Sequence, residues 1–385
     1  MTKLLRHRVG LTLLLLAACA PALPAQEECV AEGKTPFSVQ LLYTGDAMHN
    51  FRGGLATGSD YLGMADLCLG FDLASAGLSH GGSFFLKAAN THGGSPSKSF
   101  LGDFQVASNI EAGSHTYVQE AWYSQPIGNV EVIVGLQDMN VRFAANVHSG
   151  VYLNSAFGVH PTISSNIPVP IFPLTTLGLT VAWNVSELFT WEAAIFDGSA
   201  GGFDSNPYNL DWGLSADDGA LAITEIQFAS SAGSIYKLGV YDHTHSAFMT
   251  QESDPAEEVY GDCYGGYLTA DQMISGRMDA PGGIALFARA GISPRHASTN
   301  STFIGAGINF YGFLSENSAD VLGAGFVCAM MNDDQDETAF ELLYRRNLTE
   351  QIYFQPDIQY IINPRGTGPA LDNCLAATLR FGLQF

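Results

Sequence analysis

The last eleven residues, Leu375 to Phe385, place an apolar side chain at every second position: Leu375, Ala377, Leu379, Phe381, Leu383 and Phe385. Arg380 and Gln384 fall on the opposite face. Successive side chains of a β-strand point to opposite sides. The segment therefore predicts a strand with one apolar and one polar face that ends on an aromatic residue. Such a strand closes a transmembrane β-barrel of the outer-membrane type, and every other feature of the chain has to be compatible with that fold.

At the amino terminus, Lys3, Arg6 and Arg8 precede the apolar run Leu11 to Leu16, and small residues follow, the pattern of a secretory signal. Cleavage is expected after Ala25, leaving residues 1–25 as signal and 26–385 as the barrel. Ala20-Pro21-Ala22 offers an earlier site, and Leu16-Ala17-Ala18-Cys19 also fits a lipobox that would lipidate Cys19. No later segment reaches the roughly 18 consecutive apolar residues that a helix needs to cross a bilayer. A membrane protein of this composition must cross with strands. A soluble secreted domain would have to account for 42 Gly, 24 Phe and 15 Tyr in a chain with only 14% charged residues, whereas a barrel uses glycines in its turns and aromatics in its interfacial girdles.

The formal net charge is -22, from 16 Lys and Arg against 38 Asp and Glu. The signal removes three bases and no acid, which leaves 13 against 38, or -25. This excludes binding to nucleic-acid backbones; carboxylates that face a lumen or its mouth would repel anions and concentrate cations. Beyond Cys19 the cysteines are Cys29, Cys68, Cys263, Cys328 and Cys374, with no CxxC pair and no zinc spacing. A disulfide is chemically allowed outside the cytoplasm, but its pairing is not readable from the sequence.

Alternating segments recur, separated by Gly, Asn, Asp and Pro. Phe37, Val39, Leu41 and Tyr43 form one apolar face, and Leu177, Leu179, Val181 and Trp183 another. Ile284, Leu286, Ala288, Ala290 and Ile292 oppose Arg289; Ile352, Phe354, Ile358, Tyr360 and Ile362 oppose Gln355, Asp357 and Gln359. The 360 residues left after the signal, at about 22 per strand and connection, predict an all-β antiparallel transmembrane barrel of about 16 strands in a single domain. Asn146 to Pro173 is too irregular for one strand and suits a loop folded into the lumen. The acidic stretches Gln251 to Glu258 and Asn332 to Glu337 are expected as external loops.

Glu341-Leu342-Leu343-Tyr344, followed by Gln355-Pro356-Asp357-Ile358-Gln359-Tyr360-Ile361-Ile362-Asn363-Pro364, resembles the carboxy-terminal signature of the carbohydrate-selective porins, the OprB family. Tyr61-Leu62-Gly63, Leu101-Gly102-Asp103, Ser108-Asn109-Ile110-Glu111 and Tyr152-Leu153-Asn154-Ser155-Ala156-Phe157-Gly158 are similar to the same family, as are Phe172-Pro173-Leu174 and Phe196-Asp197-Gly198. The similarity keeps its order from about Tyr43 to Phe385. It implies a sixteen-stranded outer-membrane channel that passes glucose and other small sugars by facilitated diffusion. The strong acidity and the extra cysteines depart from the family pattern and leave the sugar preference open.

A sugar channel needs aromatic faces for pyranose rings and polar groups that replace water on the hydroxyls, with binding weak enough to release. Glu120 and Trp122 share a strand face, so Trp122 either lines the lumen beside the carboxylate or belongs to an interfacial girdle. Gln355, Asp357 and Gln359 form one polar face, and Asp103, Gln105, Asn109 and Glu111 a polar cluster; each touches sugar or only keeps the wall wet. Arg142, Arg289 and Arg345 are rare cations in an acidic chain. They supply bidentate donors and a transverse field across the lumen, or brace the wall.

Gly77-Leu78-Ser79-His80-Gly81 matches a nucleophile elbow, but that motif has meaning only at a strand-to-helix turn. Adjacent Ser79 and His80 would also point to opposite faces of a strand, which argues against a catalytic pair. Asp242, His243 and His245 suit solvation near a loop more than a metal. Asn332 to Glu337 lacks the central Gly and distal Glu of a calcium loop. The expected function is thus facilitated diffusion of small sugars, with no catalysis, cofactor or metal. Its competitors are a cation-preferring general porin, a barrel-embedded lipid hydrolase and a surface adhesin. Expected partners are small sugars, outer-membrane lipid and the barrel assembly machinery, which would read Phe385; a homo-oligomer is compatible with this fold.

Overall fold

The computed structural model describes residues 35–78, 81–215, 218–230, 233–246, 261–278, 280–315, 319–332, 335–364 and 370–385. The signal segment, Cys19, Cys29, Ser79, His80 and Gln251 to Glu258 lie outside these residues, as does part of Asn332 to Glu337. Sixteen strands follow in chain order. The first eight are β1 (Phe37–Arg52), β2 (Gly58–Asp72), β3 (Ser83–Gly93), β4 (His115–Ile127), β5 (Val130–Gln137), β6 (Thr176–Asn184), β7 (Phe189–Asp197) and β8 (Ala220–Ala229). The second eight are β9 (Ile235–Ser246), β10 (Gly261–Ser275), β11 (Gly283–Ile292), β12 (Asn300–Tyr311), β13 (Val321–Met331), β14 (Glu337–Asn347), β15 (Ile352–Ile362) and β16 (Cys374–Gln384). Each pairs antiparallel with its sequence neighbours, and β1 pairs with β16 to close the barrel, Asp46 opposite Arg380. Closure satisfies every strand edge, the requirement for β-structure in a bilayer.

The two-residue period sorts side chains as expected. On β15, Phe354 and Ile358 point outward and are 39% and 50% exposed, while Gln355, Asp357 and Gln359 point inward and are buried. On β16 the outward row Leu375, Ala377, Leu379, Phe381 and Leu383 alternates with inward Ala376, Thr378 and Arg380. One irregularity matters for the interior. The β3–β4 pairing steps from Lys87 opposite Glu120 to Ala88 opposite Val118, so Gln119 is an extra residue. A bulge of this kind re-aims side chains, and here Gln119 and Glu120 are both buried, with Trp122 and Ser124 continuing the inward row.

Connections at one end of the barrel are short: Gly128-Asn129 alone joins β4 to β5, with Gly128 at φ 67°. Two long connections fill the lumen instead. The first, residues 94–114, joins β3 to β4; the second, residues 138–175, joins β5 to β6 and includes α1 (Pro161–Ser164). The inward loop expected at Asn146 to Pro173 is thus the larger part of the second insert. The inserts are stitched together by Asn109 N–H to Leu153 O (2.8 Å) and Ser155 N–H to Val106 O (2.9 Å).

Two apolar clusters form where the inserts meet the wall, one chiefly against β11–β16 and the other against β7–β10. Tyr152 and Phe157 are stacked with ring centroids 4.3 Å apart and pack against Phe287, and both are 1% exposed. Burying each aromatic contributes about 1.5–3 kcal/mol.

Candidate functional site

Wall carboxylates hold the inserts by their backbone N–H groups. Glu337 accepts from Phe104 N (2.7 Å) and Gln105 N (2.8 Å). Asp271 accepts from Val147 N (3.1 Å) and His148 N (3.0 Å), and Glu341 from Leu153 N (2.5 Å) and Asn154 N (3.0 Å). Glu225 accepts from Ala144 N at 3.0 Å. Consecutive N–H groups form a small anion-binding concavity, so a carboxylate on the wall fixes a loop that has no strand to pair with. Arg289 does the converse: its guanidinium donates to the carbonyls of Ala144, Phe157 and Gly158 and to Ser149 Oγ.

Several sequence-predicted residues belong to this anchoring. Gln355 Nε2 donates to Val151 O (2.7 Å), and Gln359 Nε2 to Ala107 O (2.8 Å), while Asp357 lies against Glu341 and accepts from Gln359. Gln105 is bound to Glu337, and Asp103 is buried in the same insert, where desolvation pushes its carboxyl above the ordinary range. Arg345 lies 3.5 Å above the Tyr353 ring. That ring occupies the space a side chain on Gly382 would need, which is why β16 carries a glycine there. Arg142 ion-pairs with Glu131 (2.8 Å) and Glu192 (3.3 Å), bracing β5 against β7. None of the three predicted arginines stands alone across the lumen from carboxylates.

The remaining predicted residues come together on the other side of the inserts. Two cavities of about 270 Å³ and 120 Å³ adjoin, with Asn109, Asp138, Val141 and Phe172 lining both. Glu111, Asn140, Ser164 and Ser165 line the first, and Asp66, Phe85, Lys87, Gln119, Glu120, Trp122 and Arg380 the second. Trp122 points inward, its Nε1 donating to Glu120 Oε2 (3.1 Å), and its ring stacks on Phe85 with centroids 4.9 Å apart and an interplanar angle of 27°. Lys87 Nζ is 3.3 Å from Asp66 Oδ2. Arg380 is held bidentately by Asp46 (2.7 and 2.8 Å) and reaches Asn109 Oδ1 (2.8 Å). Glu111 accepts from Ser97 N (3.2 Å), and burial pushes its carboxyl up to about 7, reinforced by the nearby Asp103 charge. Burial also raises Asp138, partly offset by the N–H groups of Asn140 (2.8 Å) and Phe172 (3.0 Å) and by the Lys87 charge.

Sequence reasoning missed Asp66, Lys87, Gln119 and Asp138. Lys87 is the single charge on the inward row of β3, and Asp66 shares its face of β2 with Asp60 and Asp72, a signal that was present. Gln119 is inward only because of the bulge, and Asp138 stands one residue beyond β5, where alternation no longer applies.

Of the other motifs, Gly77 and Gly81 sit in the β2–β3 connection with φ of 71° and 112°, a turn and not a strand-to-helix elbow. His243 is buried with Nε2 2.8 Å from Gly198 O, and no metal-binding cluster occurs among the described residues. Cys68 is disulfide-bonded, whereas Cys328 and Cys374 are free thiols.

The family profile described as carbohydrate-selective porin, OprB family, matches residues 56–385. The high-pH structure of Pseudomonas putida OprB superposes with a TM-score of 0.80 at 19% identity, covering 91% of this chain and 94% of that one. Its low-pH structure gives 0.60 at 16% identity, covering 91% and 93%. A triple mutant of Rhodopseudomonas blastica porin gives 0.53 at 10% identity, covering 91% and 100%. At such identities the likeness is one of fold. No curated protein matches the chain.

Proposed function

The chain belongs to the carbohydrate-selective porin, OprB family, and from that premise we propose that small sugars cross it between the inserts and the wall of β1–β4, stacking on Trp122. The protein is a sugar-selective channel of the bacterial outer membrane and not an enzyme. What carries the reading of the path is the Trp122–Phe85 stack flanked by Glu120, Lys87 and Asp138 in the narrower cavity. A pyranose offers an apolar CH face to the indole and a ring of hydroxyls to the charged groups, so it sheds water stepwise without ever being bare. Binding of this kind is weak and exchangeable, as conduction requires. The polar cluster Asn109, Glu111, Asn140, Ser164 and Ser165 forms the approach to the stack.

Replacing Trp122 by Ala should weaken sugar blockade of the ion current severalfold in a planar bilayer while conductance stays the same or rises. Glu120→Gln should weaken blockade less, since an amide keeps an acceptor. Unchanged blockade in a folded Trp122→Ala barrel would move the sugar contacts elsewhere and favour a general diffusion porin along this path. The exposed apolar belt, including Leu342, Ile358 and Leu379, is proposed to face outer-membrane lipid, and Phe385 to be the residue the assembly machinery reads.

A further inference from the structure

Within the narrower cavity two acceptors lack any donor in the protein. Asp66 Oδ1 and Gln119 Oε1 have no hydrogen-bond partner, and both residues are only 2% exposed. Their other atoms are engaged: Asp66 Oδ2 with Lys87, and Gln119 Nε2 with Asp138 Oδ2 at 3.3 Å. The charge around them is unbalanced. Asp66, Glu120 and Asp138 are three carboxyls gathered about one ammonium, Lys87, while the Arg380 guanidinium is taken up by Asp46. A buried acceptor without a donor is costly, and three carboxyls with a single ammonium among them ionise at a cost, seen in the burial-raised Asp138, that a further cation would relieve. Both deficits have the same remedy, a cationic group carrying several N–H donors.

We propose that this cavity is a subsite for the protonated amine of an amino sugar, the ammonium donating to Asp66, Gln119 and Glu120 while the ring lies on Trp122. The proposal rests on the reading that sugars use this path. A neutral hydroxyl brings one donor and no charge, so it satisfies one acceptor and leaves the surplus in place; an ammonium brings three donors and a positive charge. The acceptor atoms are enclosed, so docking includes small rotations of Asp66 and Gln119 toward the ligand.

The experiment is single-channel blockade at low salt and neutral pH by glucose, glucosamine, N-acetylglucosamine and methylammonium. Glucosamine is expected to half-block at a concentration at least tenfold below that of glucose. N-acetylglucosamine, with the same ring but an uncharged amide, should resemble glucose, and methylammonium should block hardly at all. Asp66→Asn and, separately, Gln119→Leu should shrink the tenfold preference for glucosamine over glucose, with heat-modifiability confirming folded barrels. If either variant fails to fold, the ligand comparison on the native channel decides alone. Equal half-block by glucosamine and glucose overturns the subsite while leaving the sugar path standing. Methylammonium matching glucosamine also overturns it, reducing the effect to cation occupancy, and absence of blockade by any sugar overturns the path and the subsite together.

Discussion

Glu341→Ala tests whether the wall carboxylates hold the channel narrow. Glu341 takes the N–H groups of Leu153 and Asn154, in the middle of the second insert, at 2.5 and 3.0 Å. Removing the carboxylate leaves two buried donors unpaired, at about 1–3 kcal/mol each, or roughly 2–6 kcal/mol in total. At about 1.4 kcal/mol per tenfold, the equilibrium between the seated insert and a displaced one shifts by roughly 30-fold to 20,000-fold. Water admitted by the shorter side chain recovers part of this, so the lower end is expected. The barrel itself loses no ladder bond, because β14 pairs through its backbone with β13 and β15. In planar bilayers the variant should show excursions to higher conductance and weaker sugar blockade, with unchanged heat-modifiability on gels. Glu341→Gln, which keeps one acceptor oxygen, should fall between. Conductance and noise identical to the native channel would show that the remaining anchors, Glu225, Asp271 and Arg289, hold the insert without it.

Three further outcomes are expected. Glu111 is raised by burial to about 7, so between about pH 6 and about pH 8 it passes from mostly neutral to mostly charged; reversal potentials across a salt gradient should show cation preference growing over that window, and Glu111→Gln should flatten the change. The sign for folding is opposite: its folded value lies above the ordinary 4.5, so its contribution to stability declines as pH rises from 4.5 toward 7, measurable as a lower unfolding temperature that Glu111→Gln relieves. Cation preference itself should fall with added salt, since the Debye length is about 10 Å at 0.1 M and about 3 Å at 1 M; anion preference at low salt would place the excess charge away from the ion path. Deleting Phe385 should lower outer-membrane yield without blocking secretion, as cell fractionation would report.

The outer surface of this barrel was legible because lipid imposes one rule on every strand. β6, β11, β15 and β16 each show it as a row of apolar residues at spacing two, and the terminal strand shows it without interruption. The lumen obeys no such rule. Gln355, Asp357 and Gln359 were readable as inward and polar, yet the partner of Gln355 is Val151 O and that of Gln359 is Ala107 O, 204 and 252 residues away in sequence. No local pattern encodes contacts at that separation. Asp103 and Gln105 likewise stood out as polar, but whether polar means wet or means bonded depends on where the inserts fold back. The bulge at Gln119 hides a second way: alternation gives Gln119 and Glu120 opposite faces, and the extra residue turns both inward.

The interior carboxylates therefore fall into two sets, and they bear differently on function. One set of carboxylates, Glu225, Asp271, Glu337 and Glu341, accepts from backbone N–H groups of the inserts, so it serves chiefly to hold them. The other set, Asp66, Glu111, Glu120 and Asp138, lines the two cavities of the proposed path with Lys87 among them, so its charge would act on a solute taking that path. Net charge alone cannot separate the two, because an acid that anchors a loop and an acid that selects a solute count alike. Paired charge-neutralising substitutions would separate them. Asp271→Asn should alter conductance noise more than reversal potential, and Glu120→Gln should alter reversal potential more than noise. If both substitutions moved both quantities together, anchoring and selection would be one function of a single electrostatic network, and the division drawn between the two sides of the inserts would fail.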